Sequence, residues 1–442
     1  MKTHFPLLCS SALALAIVLA GCGGGTGNTT SPSGSGGSGS GGGSGSGGSG
    51  SGGSGSGGSG SGGSGSGGSG SGGSGSGNEF LYATAYAGGG SIYAWQIDSS
   101  TGLLTPVAGQ PFQADVGSGN SQPCTEGCST NLAADPKGRF LFLAYNLFTG
   151  GLDSLSVDPT TGALTSVANV AQAVGSIAID PSGQYLYGNP EAALTAGGTI
   201  DLYGYTIAGN GNLSAVPGSP VTLSSAQEPS TVSFGPPAVS SSDVFVSLDY
   251  QSVSTMQAFH IAASSGSLTA DALPGGAQAA GAPAVTPSGQ FVYAAGPVYP
   301  SGGTLQYQIV PYSVSADGTV TTASTPGAIT PETSPFGLVM SPNGNFLYAL
   351  GDKAIYDYEV NESTGALTKV AAYTGTVSFN VAIDPAMKYL YLVPNSGSPD
   401  YISGDTIVAY SINSSSGSLT EISGSTVTLP QSPISLAVVR AQ

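Results

Sequence analysis

Two short segments of the sequence decide the fold, Ile177-Ala-Ile-Asp-Pro-Ser-Gly-Gln-Tyr-Leu-Tyr187 and Asp158-Pro-Thr-Thr-Gly-Ala-Leu-Thr165, because variants of both recur along the chain. The first joins a strand of small residues to an aromatic strand, and the second is a hairpin turn whose glycine suits a positive φ. Seven such turns occur, with their glycines at Gly102, Gly162, Gly211, Gly266, Gly318, Gly365 and Gly417. An aromatic or aliphatic run precedes each turn: Phe80–Tyr82, Phe140–Phe142, Tyr185–Tyr187, Val244–Val246, Phe291–Tyr293, Phe346–Tyr348 and Tyr389–Tyr391. The sequence is therefore built from seven copies of one β unit.

The first unit lacks the leading strand of small residues, whereas the chain ends with a strand of that pattern, Ser432 to Val439. The C-terminal strand therefore completes the N-terminal unit, and the circle closes. The 365 residues from Asn78 to Gln442 give about 52 residues per unit, near the length of a four-stranded blade. This pattern predicts an all-β, seven-bladed β-propeller closed by a C-terminal strand that joins the N-terminal blade.

One position in the leading strands favours small residues. This position lies three residues before the turn proline in six leading strands and at the equivalent place in the closing strand. Its residues are Ala133, Ala178, Ser233, Ala284, Val339, Ala382 and Ala437. Innermost strands converge on the propeller axis, where side chains have the least room. The pattern agrees with leading strands that line the axis.

The repeats Asp180–Tyr187 and Asp158–Thr165 resemble those of the lactonase-like seven-bladed propellers, a family that includes 6-phosphogluconolactonases and carboxymuconate cyclases and shares blade patterns with YVTN-type surface propellers. The resemblance covers essentially all of Asn78 to Arg440. It implies the propeller fold and a lactonase activity. The shared motifs are turn and core residues, so they identify a fold more strongly than an activity.

Composition excludes one class of partner. All 24 acidic residues but only six Lys and Arg lie from Asn78 onward, a formal charge of −18. Nucleic-acid binding requires clustered Lys and Arg at phosphates, and a negative charge of this size repels polyanions. No nucleic-acid partner is expected.

The N-terminus predicts export. Lys2 precedes an apolar run from Phe5 to Ala20 that is too short for a typical membrane span, and Leu-Ala-Gly-Cys22 resembles a bacterial lipobox. The resemblance implies a signal peptide over 1–21, lipidation of Cys22 and attachment to a membrane of the cell envelope, on the periplasmic side or at the cell surface. The alternative is an ordinary signal peptide that happens to contain a cysteine.

A linker follows Cys22. Between Gly23 and Gly77, 50 of 55 residues are Gly or Ser, a composition typical of a flexible, disordered coil. The linker either gives the propeller reach from the membrane or is a low-complexity expansion without a selected length. The predicted domains are thus 1–21, 22–77 and the propeller at 78–442.

The sequence has few residues that could act in catalysis, and no catalytic residue is assigned. His260 aligns with Thr206 and Ser411 in the third strand of its unit, which predicts a solvent-facing position away from the axis. Arg139 lies in a surface turn and Arg440 near the C-terminus. A lactonase needs a cationic partner for an anionic substrate and a proton carrier, and no family residue carries over to a matching position here.

Cys124 and Cys128 enclose a short loop between the first and second units. Two thiols without a nearby His or further Cys make a poor zinc site, whereas a disulfide is favoured in an exported protein. We predict a disulfide, with no metal and no cofactor.

The candidate ligand contacts are Asn131, Glu228, Glu332 and Asn380, because they lie in or just before leading strands and hence near the channel mouth. The function predicted from these features is a membrane-anchored binding or protein-interaction module with a carbohydrate, small-molecule or protein ligand at that mouth. The alternative is a lactone hydrolase of carbohydrate metabolism.

The lipobox prediction has a direct test. Replacing Cys22 by Ser removes the thiol that would carry the lipid, so the protein should leave the membrane fraction or accumulate as an uncleaved precursor. Fractionation of expressing cells with immunoblotting measures both outcomes. Normal cleavage with unchanged membrane attachment would contradict the prediction.

Overall fold

The protein is described from a computed structural model that covers residues 77–85, 91–114, 129–146, 151–172, 174–189, 200–224, 232–233, 236–250, 253–273, 281–298, 306–323, 335–351, 354–374, 381–394, 405–431 and 433–442. These residues form β-strands and turns, and they contain no helix capable of spanning a membrane. The predicted segment 1–21 and nearly all of 22–77 lie outside them. The domain boundaries therefore remain predictions.

Thirty-two strands lie in these ranges, in the chain order β1 (Glu79–Ala85), β2 (Ser91–Ile97), β3 (Leu104–Pro106), β4 (Phe112–Gln113), β5 (Ser129–Ala134), β6 (Phe140–Asn146), β7 (Gly151–Val157), β8 (Leu164–Val170), β9 (Ser176–Ile179), β10 (Tyr185–Asn189), β11 (Ile200–Ile207), β12 (Leu213–Ala215), β13 (Val221–Ser224), β14 (Val232–Ser233), β15 (Ala238–Val239), β16 (Asp243–Tyr250), β17 (Val253–Ile261), β18 (Leu268–Ala270), β19 (Ala284–Val285), β20 (Phe291–Val298), β21 (Gln306–Val314), β22 (Val320–Thr322), β23 (Pro335–Met340), β24 (Phe346–Gly351), β25 (Ala354–Val360), β26 (Leu367–Thr374), β27 (Val381–Ile383), β28 (Tyr389–Leu392), β29 (Thr406–Ile412), β30 (Leu419–Glu421), β31 (Val427–Thr428) and β32 (Pro433–Arg440).

The strands form seven antiparallel sheets, which are the blades of a propeller. Blade 1 has the order β32-β1-β2-β3, and blades 2 to 7 begin with β5, β9, β14 with β15, β19, β23 and β27. First strands of successive blades contact one another, including β27 with β32 and β32 with β5. The predicted seven-bladed propeller is confirmed.

The C-terminal strand closes the ring as predicted. β32 pairs antiparallel with β1, with Glu79 opposite Arg440 and Tyr82 opposite Ala437. The Arg440 guanidinium lies 2.6 Å from the buried Glu79 carboxylate. Main-chain pairing and an ion pair therefore join the two ends of the domain.

The repeated hairpin turn follows from its side chains. In blade 1, the Asp98 carboxylate accepts hydrogen bonds from the main-chain N–H groups of Ser100 and Thr101, each at 2.9 Å. Gly102 then adopts a φ of 75°, a left-handed conformation that favours glycine. In the four turns that begin with Asp98, Asp158, Asn361 or Asn413, this side chain and a Gly at the fifth position thus encode the turn before any tertiary contact forms.

The sequence alignment of blade 4 was wrong by one residue. The Cα register pairs Asp243 with His260 and Phe245 with Ala258, so Asp243 occupies the position of Phe80 in blade 1. The small-residue position of this blade is likewise Ala238, opposite Phe245, rather than the predicted Ser233. The turn Ser240–Asp243 lacks the Pro-x-Gly pattern, which explains the error. With this correction six of the seven small-residue positions are Ala.

An aromatic ring of one blade rests on the turn glycine of the next at six of the seven seams. A Cβ atom built on Gly162 would lie 2.3 Å from the ring of Phe80, which is far too close. The same relation joins Phe140 to Gly211, Tyr185 to Gly266, Phe291 to Gly365, Phe346 to Gly417 and Tyr389 to Gly102. The glycine is therefore required both by the turn and by the neighbouring blade.

A tyrosine hydroxyl adds a buried hydrogen bond at five of these seams. It donates to the carbonyl oxygen of the same glycine over 2.8–3.0 Å, in the pairs Tyr82–Gly162, Tyr187–Gly266, Tyr293–Gly365, Tyr348–Gly417 and Tyr391–Gly102. Blades 2 and 4 carry Phe142 and Phe245 at the tyrosine position, so their seams with the next blade lack this bond.

Substitution of a turn glycine tests the ring contact. Gly162→Ala should lower the melting temperature much more than Gly109→Ala, a matched control in which φ is also positive but no atom lies within 4 Å of the added Cβ. Both variants incur a left-handed backbone cost of about 1–2 kcal/mol, whereas only Gly162→Ala adds an overpacking cost of about 1–3 kcal/mol against Phe80. Thermal unfolding followed by circular dichroism measures the difference. Equal shifts would show that the ring contact contributes little.

Candidate functional site

The candidate site is the channel mouth at the end of the propeller where the first strands begin. In the described ranges, the first strands carry one charged side chain, that of Arg440, which lies at the opposite end of β32. Their other described polar side chains are those of Asn131, Ser176 and Ser435, of which the two serines are buried and Asn131 is half-buried. All three are neutral.

Asn131, a predicted ligand contact, lies near the start of β5 and is half-buried. Its side-chain oxygen accepts a hydrogen bond of 3.0 Å from the N–H of Ile177 in blade 3. Ser435 acts in the same way one seam earlier, since its hydroxyl oxygen accepts the N–H of Leu132 at 2.9 Å. Asn131 therefore links two first strands through its oxygen, while its Nδ2 forms no hydrogen bond within the described residues and can still donate to a ligand.

The remaining predicted site residues lie outside the described ranges. They are Cys22, Cys124, Cys128, Glu228, Glu332 and Asn380. In the sequence, Asn380 precedes Ala382 by the same two residues that separate Asn131 from Ala133 and Ser435 from Ala437. The disulfide, the lipidation and these ligand contacts remain predictions.

Four described cationic side chains have structural partners. Arg139 lies 2.7 Å from the buried carboxylate of Asp135, and Arg440 pairs with Glu79. The ammonium group of Lys388 donates to the carbonyl oxygen of Ser99 over 3.2 Å, and that of Lys369 lies 5.1 Å from the centre of the Tyr356 ring. These contacts join turns and strands, so the four cationic side chains already have partners within the fold.

His260 occupies the predicted position, since it aligns with Thr206 and Ser411 in the strand register. Its side chain is 38% exposed, and its Nδ1 lies 3.1 Å from a carboxylate oxygen of the buried Asp243. Sequence reasoning missed this partner because it placed Val244 rather than Asp243 at the aromatic position. The missed signal was an Asp at a position where the other blades have Phe or Tyr.

Another buried acid lies between blades 6 and 7. Asp357 in β25 is fully buried, and neither of its carboxylate oxygens has a hydrogen-bond partner. Burial raises the pKa of this carboxyl from 3.8 to about 7. The equivalent positions in the other third strands hold Ala94, Ser154, Gly204, Ala258, Pro311 and Ala409.

Asp357 does not belong to the channel mouth. Ile355, on the same face of β25, packs in an apolar cluster with Leu390 and Leu392 of blade 7, which places Asp357 on the face between the two blades. A carboxyl with a strongly shifted pKa often marks a functional site, but the pKa of Asp357 is shifted by burial between two blades. No group of three His, Cys, Asp or Glu side chains in the described part of the chain is arranged to hold a metal ion.

Comparison with known proteins bears on the fold. No protein-family model matches the sequence, and no curated protein matches it. Among solved structures, the chain is similar to a periplasmic gluconolactonase of Pseudomonas aeruginosa, with 16% identity, a TM-score of 0.57 and coverage of 83% of this chain and 100% of the other. It is also similar to a protein of Bacteroides fragilis provisionally assigned as a 6-phosphogluconolactonase, with 17% identity, a TM-score of 0.57 and coverage of 82% and 98%.

A third similar structure, from Bacteroides uniformis, carries the same provisional assignment, with 18% identity, a TM-score of 0.57 and coverage of 82% and 99%. The likeness extends over almost the whole of each neighbour. The chain thus has the seven-bladed fold of the lactonase-like propellers, as the repeat motifs indicated.

Replacement of Asp357 should change how stability depends on pH. The unfolded chain releases this proton near pH 3.8, whereas the folded protein keeps it to about pH 7, so the folded state loses stability as the pH rises through that window. Asp357→Asn should therefore unfold at a higher temperature than the parent at about pH 8, and the gain should vanish at about pH 4.

Asp98→Asn is the matched control. Asp98 is exposed, and Asn361 and Asn413 fill the same turn position in blades 6 and 7. This control should show no gain at the higher pH. A melting temperature of Asp357→Asn that follows the parent at every pH would contradict the assignment of a buried, unpaired acid.

Proposed function

We propose that this propeller is a lactone hydrolase whose substrate is uncharged and binds at the channel mouth. The observation that carries the proposal is the likeness, over nearly their whole length, to propellers described as a gluconolactonase or provisionally as 6-phosphogluconolactonases. The domain is further proposed to act outside the cytoplasm, on the evidence of the signal peptide and lipobox in its sequence.

Charge supports a neutral substrate. A phosphorylated lactone brings about two negative charges to a domain of formal charge −18. Four of its six Lys and Arg side chains hold turns and strands together, and the described first strands offer neutral polar groups at the mouth. A phosphate without a paired cation would remain repelled and poorly solvated.

Ring opening of a lactone by water needs a base that activates the water and a donor that stabilises the developing oxyanion. Glu228 and Glu332 are the proposed bases, since they precede the first strands of blades 4 and 6 by four and three residues in the sequence. The amide groups of Asn131 and Asn380 are the proposed donors. The Nδ2 of Asn131 is suited to this because its side-chain oxygen alone is used by Ile177.

A second function, a binding or protein-interaction module at the cell envelope, is favoured by one observation. The described first strands contain no carboxylate or imidazole that could act as a base. If the connecting segments supply none, the channel mouth binds a carbohydrate, small molecule or protein without turning it over. The tether and anchor predicted from the sequence suit presentation of such a site.

A lactonase assay separates the two functions. The purified protein should hydrolyse gluconolactone faster than the buffer blank and should show negligible activity on 6-phosphogluconolactone, because nothing pairs with the phosphate. Glu228→Gln or Glu332→Gln should reduce kcat by about 10²-fold or more, as loss of a general base does.

Glu362→Gln, at an exposed hairpin turn of blade 6, is the control and should leave the rate unchanged. Absence of hydrolysis in a protein that melts cooperatively would reject the enzyme and favour the binding module. Preference for the phosphorylated lactone would reject the proposed substrate class.

A further inference from the structure

The seam between blades 4 and 5 lacks both contacts that join the other blades. Asp243 stands where six blades have Phe or Tyr, so no aromatic ring rests on Gly318 of blade 5. Phe245 stands at the tyrosine position, so no hydroxyl donates to the carbonyl of that glycine. It is the one described seam that lacks the two together, because Phe140 still rests on Gly211 between blades 2 and 3.

Charged side chains take the place of the missing ring. Asp271 is the nearest residue to Gly318, with its carboxylate oxygen 2.8 Å from the position of a Cβ atom on that glycine. In blades 3 and 7 the equivalent residues are Val216 and Ile422, which pack beside the turn glycine of the next blade. The second carboxylate oxygen of Asp271 is buried without a hydrogen-bond partner.

The imidazole of His260 faces these acids. It contacts Asp243, which is 1% exposed and also accepts a hydrogen bond of 2.5 Å from the Ser242 hydroxyl. Burial raises the pKa of Asp271, with Asp243 and Asp317 adding to the rise and His260 opposing it. The titratable groups that meet at this seam are therefore Asp243, Asp271 and His260 of blade 4 and Asp317 of blade 5.

The apolar cluster between these blades is small among the described residues. It contains eight buried residues, among them Ala258, Val292 and Tyr312. The cluster between blades 2 and 3 contains nine, that between blades 3 and 4 eleven, and that between blades 1 and 2 sixteen. Burial of apolar area is the main stabilising contribution at such an interface, so the remaining contacts carry more of the seam's stability.

We propose that the propeller ring opens preferentially at the seam between blades 4 and 5, and that ionisation of the partly buried Asp271 carboxyl favours this opening. The inference is independent of the proposed lactone chemistry. It concerns a built-in opening point of the ring, where a pH-sensitive cluster of three acids and one histidine replaces an aromatic contact.

The sign of the pH effect follows from the charges. Burial raises the pKa of Asp271, so the closed seam favours the protonated form of this carboxyl. The closed seam therefore loses stability as the pH rises and this carboxyl ionises. Opening should increase from acidic to mildly alkaline pH.

Cysteine labelling at one structural position in different seams measures opening. Ala258 faces the seam between blades 4 and 5, and Ala94 and Ala409 occupy the same position in blades 1 and 7, with all three at most 2% exposed. Each is changed to Cys in the full-length protein, and modification at that peptide is timed by mass spectrometry. The ratio of rates between positions largely removes the intrinsic pH dependence of the thiol.

At about pH 8 the Ala258→Cys site should react at least about tenfold faster than the two controls, the ratio given by ~1.4 kcal/mol in opening free energy. The ratio should fall at about pH 4, where the Asp271 carboxyl regains its proton. Asp271→Val, which places the residue of blade 3 at this position, should slow labelling toward the control rates and remove the pH dependence of the ratio.

Equal rates at the three positions, or a ratio that does not change with pH in the protein with Asp271, would overturn the proposal. If a cysteine variant fails to fold, hydrogen exchange of the parent protein provides the second measurement. Protection of β17 and β21 should then fall with pH more than that of β2 and β29.

Discussion

The contact on which this structure depends is an aromatic ring packed on the glycine of a neighbouring hairpin turn. Four of the seven turns form locally through a first-position Asp or Asn side chain, and at six of the seven the turn glycine leaves a flat surface for the ring of the preceding blade. A tyrosine hydroxyl bonded to the same glycine fixes the distance between blades at five seams. One repeated sequence feature thereby sets both the turn within a blade and the seam between blades.

Closure converts these pairwise contacts into a ring. β32 pairs with β1 along its length, and Tyr391 of blade 7 bonds to Gly102 of blade 1 in the same way as tyrosines at internal seams. The gap between the two ends of the domain lies within blade 1 and is bridged by this strand pairing and the Arg440–Glu79 ion pair. The seam between blades 7 and 1 therefore has the same aromatic and tyrosine contacts as most internal seams.

The distribution of charge separates structural chemistry from ligand chemistry. The perturbed acids Asp357 and Asp271 lie between blades, and four of the cations staple turns and strands. The channel mouth keeps neutral polar groups, of which Asn131 is the best described. The raised pKa values of Asp357 and Asp271 therefore reflect burial between blades. Residues that could take part in a reaction are better sought in the segments that lead into the first strands.

The sequence alone determined the propeller, its seven blades and its closure, because turn motifs and strand composition are local properties that repeat at a fixed spacing. It also placed His260 at a solvent-facing position of the third strand. The partners of charged residues were decided only by the tertiary structure. The Asp243–His260 pair depends on a one-residue register in a blade whose turn lacks the motif, and the burial of Asp357 depends on which blade covers its face. Asn131 was identified from its position near the mouth, but its bond to Ile177 requires two first strands that only the closed ring brings together.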